Sequence, residues 1–154
     1  MFRSFCSALL MTLATAMPAH AADPADVLLK ADRDFAAKAQ EIGVGKAFAL
    51  YAAETVYMIN SPEPKGPGAA LEKGFPPDLQ MDWAPEYAQI AASGDLGWTW
   101  GRATRRFKDK EGKLVEKNSQ YMTVWHKQAD GSWKFVADMG ADVGPGKPLP
   151  PAKP

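Results

Sequence analysis

The sequence predicts an α+β fold, a curved antiparallel sheet with N-terminal helices packed on its concave face, which leaves a conical pocket between the two layers. Three observations carry that expectation. Apolar residues recur at helical spacing near the start of the chain, and the second half is a series of β-rich segments separated by glycine turns. One of those segments, Leu96 to Phe107, contains two glycines, which in a strand mark bends or bulges and so predict curvature.

The helices come first. Asp23-Pro24 has the form of an N-cap followed by proline in the first turn, and Leu28, Ala31, Phe35, Ala39 and Ile42 then follow at spacings of three and four up to Gly43. Gly45 opens a shorter helix with Ala47, Phe48 and Tyr51 on its apolar side, which leads into the strand TVYMIN, Thr55 to Asn60. Between Ser61 and Pro85 lie six prolines and one short helical stretch, AALEKG. An ordered loop that crosses the surface or caps something is expected there, because long featureless loops are uncommon in compact domains. Four strands then meander: Tyr87 to Ala92, Leu96 to Phe107, Val115 to Lys127 and Trp133 to Gly140, with turns at Ser93-Gly94-Asp95, Glu111-Gly112 and Asp130-Gly131.

The ends of the chain read differently. Arg3, the apolar run Phe5 to Met17 and the small-x-small triplet Ala19-His20-Ala21 predict a signal peptide over residues 1–21, cleaved to leave one domain, residues 22–143. The protein is therefore expected in the periplasm or the medium. The apolar run is shorter than the ~20 residues a membrane-spanning helix needs, so no membrane association is expected after cleavage. Residues 144–154, with five prolines, read as a disordered tail.

Composition narrows the chemistry. Cys6 and His20 depart with the signal, which leaves no cysteine and one histidine, His126. Neither a disulfide framework nor a zinc centre is expected, and no cofactor motif is present: GVGKAF at Gly43 to Phe48 lacks the glycine spacing and the hydroxyl residue of a phosphate loop. Without Arg3 the chain has 17 basic and 18 acidic residues, a balance that gives no pull toward nucleic acid. The segment Arg102 to Lys117 holds seven basic and three acidic residues and reads as a solvated hairpin tip. Ser119 and His126 are an odd number of residues apart in one strand, so they fall on opposite faces and form no catalytic pair.

The segments ADRDFAAKAQEIGVGKAFALYAAETVYMI, WAPEYAQIAASGDLGWTWG and GKLVEKNSQYMTVWHKQADGSWKFVADMGAD together resemble the nuclear-transport-factor-two-like superfamily, which includes ketosteroid isomerase and the SnoaL-like proteins. Within it they look most similar to a group of exported bacterial domains of unknown function. The resemblance implies a cystatin-like α+β barrel with a helix-lidded conical pocket, and a homodimer through the outer face of the sheet. Where ketosteroid isomerase has its aspartate base, TVYMIN has no carboxylate.

A cone lined by Tyr57, Trp83, Trp98, Tyr121 and Asp138 is expected: largely apolar, with few polar groups, the usual form of a small-molecule site. Asp138 has two readings. Facing the cone, it is a desolvated proton carrier; capping an amide or pairing with Arg102, it is structural. The leading functional reading is an exported domain that binds a small apolar or aromatic molecule without chemistry. One alternative is an isomerase, lyase or cyclase with Asp138 as proton carrier and Tyr57 or Tyr121 as donor to a developing oxyanion. Another is a protein-interaction domain using the outer sheet face.

Overall fold

The structure, a computed structural model, describes residues 25–59, 61–66 and 68–144. The predicted signal peptide, the Asp23-Pro24 cap, Asn60 and the tail from residue 145 onward lie outside the described residues. Helix α1 (Asp26–Ile42) buries Leu28, Phe35 and Ala39 along one stripe, as their spacing requires, and helix α2 (Val44–Tyr51) buries Val44, Ala47 and Phe48. Strand β1 (Ala52–Met58) follows α2 directly. Phe35 is the centre of the core, with ring centroids 4.8 Å from Phe48, 4.8 Å from Tyr51, 4.9 Å from Trp83 and 5.7 Å from Phe135. Each such buried aromatic or aliphatic side chain contributes about 1.5–3 kcal/mol.

The expected long loop is shorter than the sequence suggests. It carries helix α3 (Ala69–Glu72) and is followed by strand β2 (Gln80–Ile90), so Trp83 lies within a strand and not at a loop's end. Pro85 conceals this strand, since proline cannot donate to a ladder. It is accommodated because β2 is an edge strand and the register slips between Pro85 and Tyr87. Strands β3 (Leu96–Lys108), β4 (Leu114–Lys127) and β5 (Trp133–Asp142) complete a sheet of order β1-β5-β4-β3-β2. β1 joins β5 in parallel, and the other pairings are antiparallel. The three hairpin turns place Gly94, Gly112 and Gly131 at φ 76°, 79° and 84°, a region that glycine enters without steric cost.

The two faces of β3 are the reverse of what the pocket expectation required. Gly97, Thr99, Gly101 and Ala103 face inward, while Trp98, Trp100 and Arg102 lie on the outer side. The bare side is the inner one because the layers touch there. A Cβ at Gly97 would lie 2.4 Å from Leu28 Cδ1, and one at Gly101 would lie 2.1 Å from the Ala84 carbonyl oxygen and 2.9 Å from the Tyr121 ring. Trp98 instead packs on Tyr87 across the outer face, with ring centroids 5.2 Å apart. Tyr57 is displaced from the pocket by the same alternation: Val56 is fully buried, and Tyr57, pointing the other way, is 61% exposed.

Candidate functional site

A cavity of about 140 Å³ opens between the helices and the inner sheet face. Phe35 and Phe48 supply its helical side, Phe75 reaches it from the segment after α3, and Trp83, Tyr121, Thr123 and Asp138 come from the sheet. Of the residues expected to line the pocket, Trp83, Tyr121 and Asp138 are brought together here. Tyr57 and Trp98 are not, which removes both from the binding set and Tyr57 from the catalytic one.

Behind the wall lies a carboxylate that the sequence reading passed over. Asp32 is fully buried, on the same stripe of α1 as Leu28 and Phe35. It accepts hydrogen bonds from Trp83 Nε1 at 2.8 Å, from Tyr121 Oη at 3.0 Å and from the Thr99 hydroxyl, and Trp125 Nε1 in turn donates to Thr99 Oγ1 at 3.0 Å. Four residues of three strands are thus tied to one helical side chain. The signal was present in the sequence: an aspartate at i+4 from Leu28 and i−3 from Phe35 breaks an otherwise apolar stripe, and a buried acid must find donors. Burial raises the pKa of Asp32, and the three hydrogen bonds oppose that rise without cancelling it. Burial, and then the Asp32 charge, push the Tyr121 phenol well above its ordinary value.

Asp138 stands differently. It accepts one hydrogen bond, from Thr123 Oγ1 at 2.7 Å, and lines the cavity. Burial pushes its pKa up to about 7; the Thr123 bond works against this and the charge of Asp32 adds to it. An acid in that range both holds and releases a proton near neutrality. At another part of the wall lies Arg105, whose guanidinium is paired with Asp142, and Asp142 also takes Lys117 Nζ at 3.1 Å. Ser119 lines the cavity too and is buried, whereas His126 is exposed on the opposite side of β4. The sequence reading included neither Arg105 nor Ser119 in the site.

No protein-family model matches the sequence, and no curated protein matches it significantly. Solved structures do match. A ketosteroid isomerase-like protein from Erwinia carotovora atroseptica is 14% identical, with a TM-score of 0.59 over 77% of this chain and 96% of its own. An NTF2-like protein with a cystatin-like fold from Novosphingobium aromaticivorans is 11% identical, with a TM-score of 0.55 over 79% of this chain and 82% of its own. This is the NTF2-like, cystatin-like fold. The CaMKII hub of S. rosetta superposes as well, at 19% identity and a TM-score of 0.57 over 80% of this chain and 99% of its own. An NTF2-like fold carries catalytic and non-catalytic proteins alike, so the chemistry of the cavity decides the function.

Proposed function

We propose that this NTF2-like domain binds a small molecule about the size of one aromatic ring, with an apolar body among the rings and a hydrogen-bonding group at Asp138 and Thr123. The cavity itself carries this reading: about 140 Å³, walled by Phe35, Phe48, Phe75 and Trp83, with Asp138 as a polar end. That volume is close to the ~150 Å³ at which an apolar protein cavity accommodates one benzene. A steroid-sized body exceeds it. Calorimetric titration with phenol and benzyl alcohol tests the reading. Saturable 1:1 binding is expected, together with its loss in Ala103→Leu, which fills the cavity from the inner face of β3. If neither compound binds the unmodified protein, the reading falls.

The near-neutral acid favours a second reading, proton transfer on a bound substrate with Asp138 as carrier. Tyr121 is less suited to the oxyanion role, since its own proton is already donated to Asp32. Asp138→Asn is expected to keep the fold and abolish turnover of such a substrate; turnover surviving the change removes Asp138 from that role.

We further propose export with cleavage after residue 21, and self-association through the outer sheet face. The hub domain among the structural neighbours and the outward-facing Tyr87, Trp98 and Trp100 support the pairing. The intact mass of the protein isolated from its own host tests the first, and sedimentation of a Trp98→Glu variant the second.

A further inference from the structure

Arg105 is the only permanently charged side chain among the described residues that line the cavity. A guanidinium carries five N–H donors in a fixed planar fork. Here one nitrogen, Nη2, is engaged, with Asp142 as its acceptor. Nε is buried, with no hydrogen-bond partner among the described residues. The charges nearby are also unequal. Arg105 and Lys117 face each other across β3 and β4 and share the single carboxylate of Asp142, two cations to one anion. The neighbouring wall residues Ala103 and Ser119 bring no charge to offset this excess, and Ser119 Oγ donates to the Ala103 carbonyl at 3.5 Å. A guanidinium that is partly exposed, lines a cavity and belongs to a cluster with an excess of positive charge is a place where a small anion can pair.

From this juxtaposition we propose that the cavity takes a small organic acid, its carboxylate held by the Arg105 guanidinium and its apolar body among Phe75, Trp83 and the neighbouring rings. The inference rests on the binding reading given above and adds the ligand's chemical class. A carboxylate suits the site because two coplanar oxygens match the guanidinium fork, which a hydroxyl or an amide cannot do. Asp138, at the other side of the cavity, holds a proton for part of the time near neutral pH and then adds no repelling charge.

The test compares benzoate with benzamide, which has the same ring and nearly the same shape but no charge, by calorimetric titration of the domain. Benzoate is expected to bind at least tenfold more tightly. Arg105→Gln is expected to lower benzoate to the level of benzamide while leaving benzamide unchanged. Asp142→Asn, which keeps an acceptor there but removes the negative charge that competes for the guanidinium, is expected to tighten benzoate severalfold and benzamide not at all; it serves equally if Arg105→Gln does not fold. Equal affinities in the unmodified protein, or a preference for benzoate that neither substitution moves, overturn the proposal and leave the one-ring cavity standing. If neither compound binds, the proposal falls, and the phenol and benzyl alcohol titrations decide separately whether the one-ring cavity stands.

Discussion

Two carboxylates on facing layers of this domain, Asp32 buried and Asp138 half-buried, have opposite surroundings. Asp32, on α1, accepts from Trp83, Tyr121 and Thr99, and none of its surface is left to solvent. Asp138, on β5, accepts from Thr123 alone and looks into the cavity. The acids are chemically the same, and the burial that raises both pKa values is the same force. What differs is the supply of donors. A buried charge surrounded by donors is a fastening between helix and sheet; one with a single donor and empty space beside it is available to a ligand.

The largest effect is expected from breaking the fastening. Asp32→Leu leaves one indole, one phenol and one threonine hydroxyl without their acceptor, and should cost about 3–5 kcal/mol in urea denaturation, enough to unfold a marginal domain. A loss below about 1 kcal/mol would mean the network contributes little. Next comes the close contact between layers. Gly101→Ala, whose new methyl meets the Ala84 carbonyl and the Tyr121 ring, should cost about 2–3 kcal/mol in the same assay.

The pH dependence sharpens the comparison. The pKa of Asp138 is about 7 in the folded domain against 3.8 for the free group, so between those values the folded state binds the extra proton. Stability contributed by this group is therefore present at low pH and falls as pH rises through 7. Asp138→Asn should flatten that part of the stability–pH profile and stabilise the domain at pH 8 by about 1–3 kcal/mol. A profile unchanged by the substitution would assign the titration elsewhere, with Asp32 and Tyr121 as the neighbouring groups. The smallest effects are expected outside. Tyr57→Phe should stay within about 0.5 kcal/mol of the unmodified stability, as exposed substitutions do. It should also shift the affinity for phenol less than twofold, since the ring points away from the cavity.

The legible part of this fold was the part written in local patterns. The stripe of Leu28, Phe35 and Ala39 predicts α1 and its buried face, and the glycine turns place β3, β4 and β5 to within a few residues. Gln80 to Glu86 was illegible as strand because Pro85 argues against a ladder, and only the edge position of β2 makes it acceptable. Period two correctly separated the faces of β3 but could not orient them. Large rings suggest an interior, yet Gly97 and Gly101 lie inward because Leu28 and the Ala84 carbonyl occupy the space a side chain would need. Asp32 was visible as a break in an apolar stripe. Its partners were not, since Tyr121 is 89 residues away.

By itself, then, the sequence determined the succession of elements, the α+β class and the curvature of the sheet, because helical and strand periodicity and turn chemistry act over a few residues; the NTF2-like architecture was legible only through resemblance. Only the tertiary structure decided which face of β3 is inside, which acid is saturated with donors and which is left open, and that Arg105 reaches the cavity wall. Those outcomes depend on contacts between residues far apart in the chain. No local pattern encodes the space that remains when two layers meet.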